Sequence, residues 1–359
     1  RNKNIDVIIT DHHEVPDIPP QAYAIVNPRM KNCAYPDKNL AGVGIAFKLA
    51  EALCSILKSS EVWRHFDLVS LGTVADIVPL TGENRIIVKE GMKLLNNGTH
   101  KVGLKALIEA SGLKDKPLGS FAISYILGPR INAAGRLGAV DLAVRLLVTE
   151  DEKEAGILAK ALNEKNRERQ KIESSFLKQA VAKVGEEVDL KEHKVIVLHN
   201  EDWHPGVMGI VASRIADRFF RPCILISMKD GIGRGSGRSV ENFHLFDALT
   251  GCEDILEEYG GHKYACGLTI LEGNIEQFKN RVNEKADSVV DVEKLSISLN
   301  VDMELGFSSL DHKVLEELYN LEPFGQGNPT PLLCSRNLRL IQPPRVIKGS
   351  HLKFWVTDG

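Results

Sequence analysis

Residues 150–187 are densely charged, yet they carry apolar side chains at helical spacing, and this stretch divides the chain. Ile157, Leu158, Ala161 and Leu162 make one stripe, and Ile172, Phe176 and Ala180 continue it. The pattern predicts one or two long helices between domains, in the form of a solvated linker. A chain of 359 residues is expected to hold two or three domains at roughly 150 residues each. Its net charge of −3 excludes a globally basic nucleic-acid coat and an acidic disordered tail. Any nucleic-acid surface must therefore be a local patch. No apolar run reaches the ~18 residues of a membrane helix, and no signal-peptide pattern opens the chain. The cysteines, Cys33, Cys54, Cys223, Cys252, Cys266 and Cys334, form no CxxC pair, so a reducing cytoplasm suits them better than a disulfide framework.

Before the divider, Ile5-Asp6-Val7-Ile8-Ile9-Thr10 reads as a buried strand of a parallel sheet. Residues 14–39, rich in Pro, Asn and Asp, read as a loop. Helices are expected over Leu40–Leu57 and Asn84–Leu95, with an apolar run from Phe66 to Leu80 between them. A second α/β unit begins at Val195-Ile196-Val197-Leu198. It continues with a helix over Gly206–Phe219 and a strand at Cys223–Ile226. Beyond these come a helix over Leu245–Tyr259, a strand at Leu268–Leu271 and a closing helix over Ile275–Val290. After about residue 295 strand patterns surround one short helix, Lys313–Tyr319, as in a third, mostly β module. The chain starts on Arg1 with a strand pattern four residues later, and ends two residues after another, so a fragment is expected.

Several segments could carry chemistry. Thr10-Asp11-His12-His13 follows the first strand directly, where sites form in open α/β sheets. One carboxylate and two imidazoles suit Mn²⁺ or Zn²⁺ better than an all-oxygen Mg²⁺ site; the same residues also fit a solvated loop. Asp76, a lone carboxylate among Gly72-Thr73-Val74-Ala75 and Ile77, either meets a cation or caps a helix. In Gly231–Ser239, glycine at every second position leaves one strand face bare for a ligand, with Arg234, Ser236, Arg238 and Ser239 as phosphate donors. A plain glycine-rich hairpin fits as well. From Trp203 to His244 six basic residues face three acidic ones, a local excess of +3. Trp203 and His204 offer a stacking and hydrogen-bonding pair, or Trp203 is core. Gly260-Gly261-His262 is a phosphate loop or a turn, and Arg130, Asn132 and Arg136 are phosphate contacts or surface residues at a helix start. No nucleophilic Ser/His/Asp or Cys/His set stands out.

Taken together, these segments resemble the DHH phosphoesterase family and, within it, the RecJ branch of single-strand-specific exonucleases. The motifs are Thr10–His13, Gly72–Leu80, Gly128–Arg136, Trp203–Arg214, Gly235–Ser239, Gly260–His262 and Pro323–Pro329, in the family's order over nearly the whole chain. The resemblance implies a DHH domain over residues 1–149, with its parallel sheet, and a helical linker over 150–190. It then implies a DHH-associated substrate-binding α/β domain over 191–292 and a partial OB-like module over 293–359. It further implies 5′→3′ removal of nucleotides from single-stranded DNA with two Mn²⁺ or Mg²⁺ ions, in repair and recombination. Single-strand-binding protein and a helicase would be partners, and no membrane. Asp11, His12, His13 and Asp76 would be metal-binding and catalytic, with His13 also placed to touch the scissile phosphate. Ser236 and Arg238 would recognise a 5′-phosphate, beside Gly260-Gly261-His262. Two further acidic motifs of the family would lie upstream of Arg1, so the chain by itself is expected to be inactive. Two other classes stay open: a hydrolase of short oligonucleotides or cyclic dinucleotides, and a catalytically inactive replication scaffold.

Overall fold

A computed structural model describes residues 5–99, 101–240, 243–287, 299–349 and 351–358. The chain forms two compact units, and both are assembled from separated segments. Unit 1 comprises residues 1–132, 141–163 and 299–359; unit 2 comprises 133–140 and 164–298.

Unit 1 opens with strands β1 (Ile8–Thr10) and β2 (Ala24–Val26), paired in parallel. The parallel pairing agrees with the sequence, but the burial does not: Val7 and Ile8 are exposed, and β2 lies inside the stretch read as loop. Helices α1 (Gly42–Ile56), α2 (Phe66–Ala75), α3 (Gly82–Gly98) and α4 (Val102–Ala110) follow. The apolar run of α2 is explained by its position. Val69, Ser70, Leu71, Thr73 and Val74 are all buried, as expected of a helix enclosed by its neighbours. Gly72 lets it approach α1, since a Cβ there would lie 2.8 Å from Val43 Cγ1. Gly91 does the same toward α3, where a Cβ would lie 2.3 Å from the Phe66 carbonyl oxygen.

Next come α5 (Ser120–Ala122), a π-helical stretch (Ile123–Leu127), α6 (Gly128–Arg136) and α7 (Val140–Val148). The charged divider is one 36-residue helix, α8 (Glu152–Glu187). It is not a solvated rod: Ala155, Leu158, Ala159 and Leu162 are buried in its first part, and Phe176, Ala180 and Val184 in its second. Ile157, assigned to the same stripe, points to solvent.

Unit 2 is a five-stranded mixed sheet, ordered β3-β4-β5-β7-β6. Its elements are β3 (Ile196–Asn200), α9 (Pro205–Phe219), β4 (Cys223–Lys229), β5 (Ile232–Arg238), α10 (Leu245–Thr250), β6 (Leu256–Gly261), β7 (Ala265–Leu271) and α11 (Ile275–Asp287). β3 and β4 are parallel and the remaining ladders antiparallel. Side chains alternate between two cores. Ile224, Ile226, Leu268 and Ile270 pack with α10 and α11, whereas Leu198 and Leu225 pack with α9 and the end of α8. The helix expected over Leu245–Tyr259 stops at Thr250, and Leu256–Tyr259 belongs to strand β6. Residues 288–290 of the expected closing helix lie outside the described residues.

The chain then returns to unit 1. β8 (Met303–Glu304), α12 (His312–Tyr319), β9 (Leu333–Cys334), β10 (Arg339–Leu340), β11 (Arg345–Ile347), β12 (His351–Lys353) and β13 (Val356–Thr357) follow, and these strands form short two-stranded ladders. The loop over Pro323–Asn328 docks where α2 ends. The Leu80 N–H donates to the Gln326 carbonyl oxygen at 2.7 Å, and a Cβ on Gly325 would lie 2.7 Å from Leu80 Cδ1. No described helix is long and apolar enough to cross a membrane.

Candidate active site

In unit 1, β1 delivers Asp11, His12 and His13, and α2 delivers Asp76. The β1–β2 ladder continues one residue further, with the Asp11 N–H donating to the Val26 carbonyl oxygen at 3.1 Å. Buried Asn27 then pins the loop, its Nδ2 donating to the His13 carbonyl at 2.9 Å. The Asp11 carboxylate turns back on its own chain. It accepts the His12 N–H at 2.8 Å and lies 2.7 Å from His13 Nδ1. Burial alone would raise its pKa, but the His13 side chain and the His12 and His13 backbone N–H groups outweigh that and hold it below the usual value.

Asp76 is the C-cap residue of α2, its N–H donating to the Gly72 carbonyl oxygen at 3.0 Å. It therefore caps no helix N-terminus. Its carboxylate sits where the helix dipole is unfavourable to it. It is half-exposed rather than sealed among apolar groups, and lies 3.4 Å from His12 Nε2. The next residue, Ile77, adopts a left-handed backbone (φ 60°), costly for a β-branched side chain. The N-terminus of α1 backs the imidazole, since a Cβ on Gly42 would touch His12 Cδ2 at 3.4 Å.

The His12 and His13 rings, 4.5 Å apart, join the two pairs into one cluster. Two carboxylates and two imidazoles are the donor types a divalent transition-metal ion takes. They stand as two pairs, and among the described residues no three His, Cys, Asp or Glu side chains converge on a single metal position. In kind the cluster fits part of a donor set.

Arg130 and Asn132 lie on α6 in unit 1. Arg130 Nε donates to Asn163 Oδ1 at 3.0 Å and its Nη1 to the Ile126 carbonyl oxygen at 2.6 Å. Asn132 lines a cavity with Ala75 and Ile77, the residues that flank Asp76.

In unit 2 a second cluster forms where α9 starts. His204 is the N-cap of α9, its Nδ1 accepting the Gly206 N–H at 3.0 Å. Arg136 Nη1 donates to the Gly206 carbonyl oxygen at 3.0 Å. Glycine is needed at 206, because a Cβ would lie 2.2 Å from the Arg136 carbonyl oxygen. Arg234, Ser236 and Arg238 share the face of β5 that meets α9. Arg238 Nη1 donates to the Gly237 carbonyl at 2.7 Å, and a Cβ on Gly209 would lie 2.7 Å from its Nη2. Buried Glu173 on α8 holds Arg169 and, at 2.6 Å, Arg214. Burial first, and then the charges of Arg169 and Arg238, press the Arg136 pKa down while Glu173 opposes them. A guanidinium still stays charged, so the group carries excess positive charge with one carboxylate in it.

Several expected phosphate contacts are corrected by this geometry. The bare face of β5 is not open to a ligand: Cβ atoms on Gly233, Gly235 and Gly237 would meet Ile226, Leu268 and Cys266 at 2.7, 2.8 and 2.5 Å. The glycines make room for the core, and the polar residues face the other way. Trp203 is core, 2% exposed, stacked on Phe176 at 4.5 Å with its Nε1 donating to Gln179 Oε1, so it offers no face to a base. Ser239 Oγ donates to the Phe243 carbonyl oxygen. In the Gly260-Gly261-His262 turn, the His262 N–H is taken by the Ala265 carbonyl oxygen at 2.8 Å. That turn lies at the Arg238 end of the sheet, since Arg238 pairs with Ala265 and Gly261 with Cys266. Sequence reasoning missed Gly209, Arg169 and Glu173. The first stood inside the Trp203–Arg214 motif without a role of its own, and the other two were lost among the charges of α8.

Comparisons with known proteins agree on one family. Family models match for the DHH family, N-terminal domain (residues 1–73), the DHHA1 domain (192–288) and the RecJ OB domain (301–359). The single-stranded-DNA-specific exonuclease RecJ of Bacillus subtilis is 41% identical over 99% of this chain and 44% of its own length. That of Escherichia coli is 36% identical over 99% of this chain and 64% of its own. The chain thus spans about half to two thirds of the length of the curated relatives it matches. Among solved structures, RecJ in complex with Mn²⁺ from Thermus thermophilus matches with a TM-score of 0.86 and 35% identity, over 99% of this chain and 52% of that one. Exonuclease RecJ bound to manganese matches at 0.67 and 38%, over 80% of this chain and 71% of that one. With the DHH, DHHA1 and OB segments in order and the motif residues in place, the chain belongs to the RecJ branch of the DHH family.

Proposed function

We propose that the complete protein is a 5′→3′ exonuclease of single-stranded DNA, dependent on Mn²⁺ or Mg²⁺ and serving repair and recombination. The observation that carries this reading is the cluster of Asp11, His12, His13 and Asp76, gathered from two elements of unit 1. Asp11, His12 and Asp76 would hold the metal, and His13, the most exposed of them, would touch the scissile phosphate. When bound, divalent cations supply an activated water at neutral pH and neutralise the leaving oxygen. In unit 2, Arg136, Ser236 and Arg238 bind phosphate, and recognition of a 5′-phosphate there would set the polarity. Gly260-Gly261-His262, at the same sheet end, would border it. The domain reading follows the motifs: DHH over 1–149, a helical linker over 150–190, DHHA1 over 191–292 and the OB-like module over 293–359. All six cysteines are free thiols, which suits a reducing compartment such as the cytoplasm. Single-strand-binding protein and a helicase are the partners this reading implies.

The test uses the complete protein with Mn²⁺ and strands labelled at either end, beside a matched duplex and a dinucleotide. Early release of a 5′ label as mononucleotide, with the duplex intact, is the expected result. Cleavage of the dinucleotide alone would move the protein to the short-substrate branch, and binding without any cleavage would make it a scaffold. Within the phosphate cluster, Gly209→Ala is expected to push the Arg238 guanidinium aside. Losing one charged hydrogen-bond donor should weaken pyrophosphate binding roughly tenfold or more in a calorimetric titration. Unchanged binding would remove Arg238 from the phosphate site.

A further inference from the structure

Three large apolar side chains stand exposed in unit 1: Ile77 and Tyr125 line one opening, and Phe121 adjoins Tyr125. Ile77, Phe121 and Tyr125 are 71%, 68% and 70% exposed. The Phe121 and Tyr125 rings lie 4.8 Å apart and only 33° from parallel, which makes one broad aromatic surface on neighbouring helical turns. Tyr125 and Ile77 border a cavity of about 310 Å³. That is the low end for a ligand pocket, the size of a single small ring system and its attachment. Among the described residues, the polar side chains lining it are Ser124, Tyr125, Asn132 and Gln326, and no charged side chain lines it. A phosphate would find no partner charge there, whereas a flat, neutral, hydrogen-bonding ring would find suitable partners.

The location is held in place from three sides. Gly128 brings α6 against the end of α2, since a Cβ there would lie 3.4 Å from Ala75 Cβ. The Leu80–Gln326 hydrogen bond brings in the loop that carries the Gln326 amide. The left-handed backbone of Ile77 is the third. An exposed β-branched residue has no packing reason to keep that conformation, and such strain persists where a site needs it. Ala75 and Ile77 both line the cavity, and Asp76 lies between them in the chain.

We propose that Phe121, Tyr125 and Ile77 form a platform on which one nucleobase of the bound strand stacks, with the Asn132 and Gln326 amides at its edge. The proposal rests on the exonuclease reading and adds a base-binding position beside the carboxylate that would hold the metal. Every base has a π-face, and an amide both donates and accepts, so the platform accepts all four bases. It grips the strand where the phosphate cluster of unit 2 cannot, through the bases rather than the charge.

The test scans single abasic sites along a labelled strand, with the chain in EDTA and binding read by fluorescence anisotropy. At one position loss of the base is expected to weaken binding about tenfold or more. In the Phe121→Ala/Tyr125→Ala double variant that position is expected to fall silent, and the other positions to keep their effects. Both rings are exposed, so melting should be unchanged, and Tyr125→Trp should retain the base effect. A double variant that binds intact and abasic strands just as the parent does overturns the platform and points to a protein-docking role for the rings. A uniform loss at every position also overturns it. A chain that binds neither strand overturns the nuclease reading instead.

Discussion

Asp76→Asn in the complete protein is expected to lower metal-dependent nucleotide release about a thousandfold, equivalent to ~4 kcal/mol of transition-state stabilisation. The same variant is expected to fold as well as the parent, or slightly better. Asp76 ends α2, where a carboxylate opposes the helix dipole, so removing its charge should add about 0.3–1 kcal/mol of stability. The amide can still meet His12 Nε2, so the local geometry has a substitute partner. Activity and stability therefore move in opposite directions. A residue kept only for structure would move them together. Activity within tenfold of the parent would remove Asp76 from the metal set; the paired measurements are rate under Mn²⁺ titration and thermal melting.

Glu173→Gln also separates two effects. Glu173 is 3% exposed and holds two arginines, and removing one member of a buried ion pair costs about 3 kcal/mol. For a chain of this size that is a fall in melting temperature of roughly 4 °C. Yet Glu173 is the carboxylate opposing Arg136, Arg169 and Arg238. Neutralising it should tighten strand binding at low salt and steepen the salt dependence by up to about 0.7 in log–log slope, the value for one added contact to a single strand. Loss of affinity in step with loss of stability would show that Glu173 shapes the cluster rather than offsetting its charge.

The legible parts of the fold were those in which side-chain period and backbone element coincide. Cys223–Ile226 is apolar on both faces because β4 has a core on each side, and Gly206–Phe219 keeps a helical stripe against one of them. Leu245–Tyr259 failed because Leu256 and Tyr259 fit a helical stripe as readily as one face of a bulged edge strand. Val102–Ala110 and Val140–Val148 went unread, and α6 was read only as a helix start, the π-helical turn at Ile123–Leu127 breaking the 3.6-residue period just before it. Asp11, His12, His13 and Asp76 were singled out by residue type and by the family resemblance, whereas the 3.4 Å approach of His12 to Asp76 is a tertiary fact. The Gly233–Gly237 alternation was seen correctly, but its meaning depended on what lay across the sheet. Tyr125 and Phe121 could not be singled out, because exposure decides whether an aromatic is core or platform, and exposure is a tertiary property.

The two units interleave along the chain, and this has a consequence for synthesis. Leu80, at the end of the segment that presents Asp76, has its hydrogen-bond acceptor at Gln326. All of unit 2 is translated between them. At about 5–20 residues per second, the Asp76 turn leaves the ribosome on the order of tens of seconds before its brace. The β5 sheet and its arginines can be complete in that interval. In a nascent chain the arginine cluster of unit 2 can therefore be in place before the turn that carries Asp76 receives its brace.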